Sequence, residues 1–359
     1  MRVAIDAMGG DRGPSAVIEG AAAFLAEDPH SELLLVGKED VLAPILKAHG
    51  LGGHSRVKIK NASEVIAMGE KLASVRQKRD ASIMRAVEAL RDGEADALVA
   101  VGNTMAAVAA STLRLRTAEG VHRAGIAVPL PSKSGKTVMI DMGANTTCKC
   151  EHLVDYAVMA SIYASEVLGI ARPRVGLLNV GEELGKGNGL LRDAHERISR
   201  APVNFIGNVE GCDIYRGTCD VVVCDGFVGN AVLKASEGAA EIVAHMLKQE
   251  IRRGLLRKLG ALLARGAFRD VKRRSDYSEF GGAPLLGLNG AVIIGHGKSD
   301  ARAVQNAIRV ARDSAVHDIV GKIRERLKET ANGAEGDSPA PDGPAAKRSD
   351  ATRKTPTST

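Results

Sequence analysis

Seven short segments of the sequence combine glycine with asparagine, aspartate or glutamate, and each directly follows an apolar run. They are 6–11, 102–104, 141–145, 179–183, 207–211, 225–230 and 295–297. Glycine lets the backbone approach a ligand closely, and a segment that opens a helix offers free N–H groups to an anion. One such segment alone is explained by strand ends and helix caps, but seven together favour a polar, anion-binding cleft.

The segment 179–188 is the densest in polar residues. It reads NVGEELGKGN, and it sets Lys186 between two glycines, with Asn179 and Asn188 at its ends. A lysine flanked by glycines can hold an anion without steric crowding. The same sequence also suits a solvated loop lysine, and the residues alone leave these two interpretations open.

The sequence does not match the motifs for nucleotide binding or for covalent catalysis when it is compared with them residue by residue. GHGKS at 295–299 resembles the end of a Walker A loop, but Val292 stands where the first glycine is required, and GKGNG at 185–189 is not G-x-G-x-x-G. No G-x-S-x-G segment occurs, and none of the nine histidines begins H-x-x-x-x-D. A covalent Ser/His mechanism is therefore not expected.

Metal binding and cysteine chemistry are also weakly supported. Asp6 and Asp11 are candidates for a shared divalent metal, but two carboxylates without a third ligand more often cap a loop. Cys224 ends an apolar run and is expected to be a buried core residue rather than a nucleophile. We expect no metal and no other cofactor.

The composition excludes several classes of protein. The 359 residues are 45% apolar and 26% charged, which is ordinary for a globular protein, and the net charge is +6. Aromatic residues make up only 3% and Trp is absent, so the chain lacks the stacking surfaces of single-stranded nucleic-acid binders. The five cysteines form no C-x-x-C pair, and neither a signal peptide nor an apolar run of about eighteen residues is found. We expect a cytoplasmic protein with reduced thiols and no nucleic-acid partner.

Ten short runs rich in Val, Ile and Leu alternate with amphipathic stretches. The alternation predicts an α/β fold, a doubly wound and mostly parallel sheet in three α/β/α layers, forming one domain over 1–330. Because ligands bind outside the carboxyl ends of the strands in such a sheet, the seven polar segments are expected to line one cleft. The clearest helices are predicted at 14–27, 81–92, 103–115, 151–169, 188–199, 228–252 and 299–328.

Two segments depart from the alternation. Residues 331–359 are rich in Ala, Gly, Pro, Ser and Thr without periodicity, which predicts a disordered tail. Residues 252–275 form a basic, leucine-rich insertion, and a helical wheel of 253–270 separates its apolar and basic residues, apart from Phe268. The apolar face holds Leu255, Leu256, Leu259, Leu262, Leu263 and Ala267, and the opposite face holds Arg257, Lys258, Arg265 and Arg269.

This separation is typical of a helix that lies at a membrane surface. We predict that the insertion docks on anionic membrane, with Leu255, Leu256, Leu259 and Leu263 as the membrane-binding residues. A helix in a dimer interface and a contact with an acidic protein are the alternatives.

Eight segments together resemble a known family, the bacterial phosphate acyltransferases of membrane phospholipid synthesis, which use acyl carrier protein. They run in order along the chain, and only Leu72 and Met105 depart from the pattern expected near them. The segments are DAMGGD at 6–11, SEVIAMGEK at 63–71, GNT at 102–104, DMGAN at 141–145, LLNVGEELGKGN at 177–188, FIGNVEG at 205–211, VVCDGFVGNAVLK at 222–234 and YSEFGGAPLLGLNGAVIIGHG at 277–297.

The resemblance implies transfer of a fatty acyl group from the thioester of acyl carrier protein to inorganic phosphate, which gives acyl phosphate. It also implies a fold like that of isopropylmalate dehydrogenase and phosphotransacetylase, a homodimer, and peripheral association with the inner face of the membrane. Phosphate carries roughly −1.5 to −2 charges near neutral pH if it behaves like a phosphoester, and a thiol has a pKa around 8.5. Direct attack without a covalent enzyme intermediate is therefore expected.

The resemblance also directs attention to particular side chains in these segments. We predict Lys186, Asn188 and Asn230 as catalytic residues, helped by the N–H groups around Gly229. The predicted substrate-binding residues are Asn103, Asn145, Asn179, Gly181, Asp225 and Gly229.

Two other functions remain open from the sequence alone. One is an oxidoreductase of related fold that uses NAD, although no dinucleotide-binding loop is found. The other is a scaffold without catalytic activity that binds membrane or a carrier protein.

Overall fold

The computed structural model describes residues 1–275 and 281–335. Residues 277–280 of the last family segment and 336–359 of the predicted tail lie outside these ranges. The end of the last helix overlaps the region predicted as tail, because this helix continues to Glu335.

Eleven strands are found in the described part of the chain, and ten of them are the ten apolar runs. They are β1 Arg2–Asp6, β2 Glu32–Gly37, β3 Val57–Asn61, β4 Ala97–Val101, β5 Gly125–Ser132, β6 Gly135–Ile140, β7 Arg174–Leu178, β8 Asn204–Val209, β9 Val221–Val223, β10 Ala283–Leu286 and β11 Ala291–Gly295. The sequence pattern missed β10, whose four residues APLL contain a proline and no β-branched side chain.

The helices agree with most of the predicted ranges. They are α1 Gly13–Glu27, α2 Glu39–Ala48, α3 Ser74–Gln77, α4 Ser82–Arg91, α5 Thr104–Leu115, α6 Cys150–Glu166, α7 Gly189–Arg200, α8 Asp213–Arg216, α9 Gly226–Arg252, α10 Leu255–Leu263, α11 Arg265–Ser275, α12 Ala301–Val316 and α13 Ile319–Glu335.

Two predicted single helices are each divided in two. The range 299–328 breaks because Asp318 has a φ of +46° and its carboxylate accepts the Gly321 N–H at 3.1 Å, which starts α13 afresh. The range 253–270 breaks after Leu263, where Ala264 is the C-cap of α10. Gly266, which follows this break, has a low helical propensity.

The strands form one sheet in the order β3-β2-β1-β4-β11-β10-β5-β6-β9-β7-β8. The first five strands are parallel and are called block one here, and the last four are parallel and are called block two. The three antiparallel pairs β11/β10, β10/β5 and β5/β6 separate them, so the two blocks run in opposite directions.

Because of this reversal, the seven polar segments follow strands that end at two edges of the sheet. The carboxyl ends of block one carry 6–11, 102–104 and 295–297, while those of block two carry the other four segments at the opposite edge. A pattern of apolar runs reveals that strands exist but not in which direction each one runs.

Helices cover both faces of the sheet, as the continuously apolar strands predict. The front face packs against α4, α5, α8 and the start of α9. The back face packs against α1, α2 and α12 over block one. Over block two it packs against α6, α7 and α13.

Candidate active site

A crevice opens at the carboxyl ends of the neighbouring strands β7 and β9. Helix α7 leaves β7 toward the back face, whereas α9 leaves β9 toward the front face. Such a divergence is where open α/β sheets bind ligands. One wall is formed by 179–188 and the other by 225–230, and Leu177 pairs with Val223 just below them.

Eight of the nine predicted polar-site residues lie at this edge of the sheet, on the segments that follow β6, β7 and β9. Asn103 does not, because β4 ends at the opposite edge. Its Oδ1 accepts the Ala106 N–H at 3.0 Å and caps α5. Its Nδ2 donates to the carbonyls of Ala67 and Met68 at 3.1 and 3.2 Å. The structure thus gives Asn103 a structural role at the start of α5.

Two buried asparagines fix the main chain around Lys186. Asn179 donates from Nδ2 to the Lys186 carbonyl at 3.2 Å. Asn208, on β8, donates from Nδ2 to the Glu183 carbonyl at 3.2 Å. The ammonium of Lys186 is exposed and has no hydrogen bond or ion pair to the side chains described in 1–271 and 281–329. The loop is therefore held while its cation stays available.

Gly187 is needed for this arrangement. Its φ is +87°, and a Cβ at this position would lie 2.5 Å from Oδ1 of Asn179. At Gly185, by contrast, an added Cβ would meet nothing within 4 Å. Asn179 thus fixes the shape of this loop through its contacts with the backbone.

Asn188 begins α7 as its N-cap. Its Oδ1 accepts the Leu191 N–H at 3.0 Å, a role that the sequence prediction of a catalytic amide did not include. The N–H groups of Gly189 and Leu190 form the open end of the helix, which favours an anion. Asn188 therefore orients the helix and keeps its own NH2 group as a donor.

The start of α9 forms the other wall. Asp225 caps the helix by accepting the Val228 N–H at 2.9 Å. The Gly229 N–H donates to the Asp225 carbonyl at 2.9 Å, so it is not available to an anion as the sequence suggested. The Gly226 N–H donates to the Asn145 carbonyl at 3.0 Å, which leaves the Phe227 N–H open at this helix end.

A buried network lies beneath α9. Nδ2 of Asn145 donates to the Ala124 carbonyl at 2.7 Å, the Tyr156 hydroxyl at 2.9 Å and Oδ2 of Asp141 at 3.1 Å. Asp141 also accepts four backbone N–H groups, although its burial raises its pKa. Asn145 is thus part of the support and not a free donor. The sequence analysis did not single out Asp141, although it opens the segment 141–145.

Asn230 lies one turn into α9 and is exposed. A Cβ added to Gly143 would lie 3.4 Å from its Cβ, so the side chain stands directly beside the backbone of 141–145. Its amide makes no hydrogen bond within the described residues. Lys186 and Asn230 are therefore unpaired donors on opposite walls of the crevice.

The cysteines near the crevice are not activated. Burial raises the pKa of both the Cys148 and Cys224 thiols. Cys224 is 3% exposed and its Sγ donates to the Asp141 carbonyl at 3.5 Å, which confirms it as a core residue. Metal ligands are likewise not grouped: among the side chains described in 1–271 and 281–329, no three His, Cys, Asp or Glu come together at a possible ion site.

The insertion projects away from the sheet. No residue of α10 is buried, and Leu255, Leu256, Leu259 and Leu263 are 83%, 86%, 56% and 81% exposed. Among the described helices, none has the length and apolar character required to span a membrane.

The fold is similar to that of solved phosphotransacetylases. The crystal structure of a phosphotransacetylase from Streptococcus pyogenes aligns with a TM-score of 0.60 and 18% identity, covering 88% of this chain and 94% of that one. A branched-chain phosphotransacylase from Enterococcus faecalis aligns with a TM-score of 0.56 and 13% identity, covering 88% and 99%.

Sequence comparison then gives the family. A family model described as "Fatty acid synthesis protein" matches residues 1–322. A phosphate acyltransferase from Heliobacterium modesticaldum is 48% identical over 328 residues, covering 91% of this chain and 98% of that protein. One from Trichlorobacter lovleyi is 46% identical over 330 residues, covering 92% and 95%. The chain therefore belongs to the fatty acid synthesis protein family.

Proposed function

We propose that this protein transfers a fatty acyl group from the thioester of acyl carrier protein to inorganic phosphate and releases acyl phosphate. The observation that carries the proposal is the β7/β9 crevice, where the Lys186 ammonium and the Asn230 amide are unpaired on opposite walls. The family and the curated relatives named phosphate acyltransferase support the same reaction.

Phosphate binds in this proposal at the start of α7. The Lys186 ammonium and the N–H groups of Gly189 and Leu190 supply positive charge and donors for a dianion. The bound phosphate needs orientation more than activation, because it is already charged. Holding it against the thioester carbonyl supplies the proximity on which such a reaction depends.

The acyl transfer itself requires an oxyanion site. A phosphate oxygen attacks the carbonyl carbon, the tetrahedral oxyanion forms, and the C–S bond breaks to release the carrier thiolate. Asn230 and the open N–H of Phe227 are the donors placed for that oxyanion on the α9 wall. No enzyme nucleophile takes part, in keeping with the raised thiol pKa values of Cys148 and Cys224.

We further propose that the protein acts at the inner membrane face through α10, as a homodimer. The exposed leucines of α10 and the basic residues beside them support an anionic membrane surface as partner. The apolar residues Ile242, Val243 and Met246 of α9 are 51%, 60% and 51% exposed, and a second copy of the chain is the occupant that we propose for them.

Thiol release from acyl carrier protein thioester, measured with and without phosphate, tests the reaction. We expect release that requires phosphate and needs no added metal or nucleotide. Equal release without phosphate identifies a thioesterase instead, and no release in either case favours a binding scaffold. An absorbance change with NAD and a hydroxy acid, in place of thiol release, identifies the oxidoreductase.

A further inference from the structure

Three large apolar side chains are exposed around the crevice. Val180 and Leu184 on the β7 wall are 78% and 74% exposed, and Phe227 on the α9 wall is 67% exposed. Val180 and Leu184 follow β7, and Phe227 follows the neighbouring strand β9. The three side chains therefore lie on the two segments that form the walls of the crevice.

The backbone holds these side chains outward. The Val180 N–H donates to Oδ1 of Asn179 at 2.8 Å. Leu184 lies between the Glu183 and Lys186 carbonyls, which are both fixed by buried asparagine amides. These hydrogen bonds hold the backbone of the loop in the conformation in which both side chains are exposed.

Phe227 is fixed in the same way on the other wall. The Gly226 N–H before it is bonded to the Asn145 carbonyl at 3.0 Å, and the Val228 N–H after it is bonded to the Asp225 carboxylate at 2.9 Å. The ring is thus presented at the crevice without packing against the core.

The charges beside Val180, Leu184 and Phe227, called the rim patch here, indicate what these side chains bind. Glu182 and Glu183 are exposed in the same loop as Val180 and Leu184. Two carboxylates repel an anionic lipid surface, in contrast to the arginines and lysine beside the leucines of α10. An uncharged hydrocarbon chain fits apolar side chains that adjoin a site for a reacting carbonyl.

We propose that Val180, Leu184 and Phe227 form the subsite that receives the acyl chain beyond its first four carbons, at the rim of the crevice that holds the thioester carbonyl. This inference rests on the proposed acyl transfer and names where its apolar substrate group lies. It predicts that these residues govern the preference for chain length, because each buried methylene adds apolar contact.

The test compares butanoyl and hexadecanoyl thioesters of one carrier, with the double variant Val180→Thr and Leu184→Gln. Both residues are exposed, so the variant is expected to fold, and Leu184→Gln alone serves if it does not. Val316→Thr is the matched control, because Val316 is 66% exposed at the end of α12. We expect kcat/KM for the hexadecanoyl thioester to fall about tenfold, which corresponds to roughly 1.4 kcal/mol, with a fall of less than about twofold for butanoyl.

Three other results overturn different parts of the account. An equal fall for both chain lengths assigns the rim patch to the carrier protein or to loop structure and refutes the acyl subsite. An unchanged profile refutes it as well. Failure of the unsubstituted protein to consume either thioester in the presence of phosphate contradicts the proposed function itself.

Discussion

The side-chain amide of Asn179 donates to the carbonyl of Lys186 at 3.2 Å, seven residues further along the chain. Asn179 is 9% exposed and stands at the end of β7, so the bond ties the loop to the rigid sheet. The lysine is positioned through its main chain, and its ammonium is left for a ligand. A site built in this way loses little side-chain entropy to packing before the ligand arrives.

Gly187→Ala tests this relationship. The new Cβ would lie 2.5 Å from Oδ1 of Asn179 at a φ of +87°, so the amide must move and Lys186 with it. We expect the KM for phosphate to rise on the order of tenfold, and the left-handed backbone to cost about 1–2 kcal/mol of stability. Gly185→Ala is the matched control, because its Cβ meets nothing within 4 Å. Equal kinetics in the two variants would separate Asn179 from the function of Lys186.

Lys186→Ala is expected to lower activity far more than stability. The side chain is exposed, so the free energy of unfolding should change by no more than about 0.5 kcal/mol. Loss of a positioned contact to phosphate or oxyanion typically costs on the order of 10²–10³ in rate. Steady-state kinetics distinguish two causes of this loss. Weaker binding of phosphate in the ground state raises KM, whereas weaker stabilisation of the transition state lowers kcat. Lys47→Ala, on the exposed side of α2, is the control, and matching kinetics for the two variants would make Lys186 a solvated loop residue.

Asp6 predicts a pH dependence of stability. Burial raises its pKa from 3.8 to about 6, so the folded protein keeps a proton that the unfolded chain releases in this interval. The free energy of unfolding should therefore fall as pH rises from about 4 to 7, by on the order of 2–3 kcal/mol from this group. Asp6→Asn should remove that part of the slope in urea unfolding across the pH range. The part due to Asp155, whose pKa is also raised to about 6, should remain. An identical slope in the variant would contradict the assignment to Asp6.

The sequence predicted the elements well and the arrangement of the blocks poorly. Continuous apolar runs such as those of β1 and β9 identified buried strands and helices on both faces. The direction of block two depends on the turn between β5 and β6 and on the short β10, neither of which has a strong local signal. Asn103 was grouped with the crevice for this reason.

The predicted site residues stay predictions, and the structure adds how the fold uses their polar groups. Lys186 and Asn230 are unpaired at the crevice, as a binding role requires. Asn145 and Gly229 are used for support, because their partners Ala124, Tyr156 and Asp225 come from other positions in the fold or from the helix itself. Residue type and spacing do not show which donors the folded protein has already used.

The insertion gives a prediction for membrane binding. Leu259→Glu with Leu263→Glu places two carboxylates on the exposed apolar face of α10 and should abolish flotation with anionic vesicles. Vesicle binding that ignores the anionic lipid content, or that survives the two α10 substitutions unchanged, would rule out the membrane assignment.

The exposed apolar residues of α9 give a separate prediction for the dimer. Ile242→Glu with Met246→Glu, on α9, should disrupt a dimer in size-exclusion chromatography. Loss of the dimer in the α10 double variant alone would instead favour α10 as the dimer interface.

The most direct measurement of the central claim is trapping of the product with hydroxylamine. Acyl carrier protein thioester, phosphate and the protein are combined, and acyl hydroxamate is quantified against the thiol released. Transfer to phosphate predicts one hydroxamate for each thiol, only when phosphate and enzyme are both present, with a large loss in Lys186→Ala. Thiol release without phosphate-dependent hydroxamate would contradict acyl phosphate formation and the account built on the β7/β9 crevice.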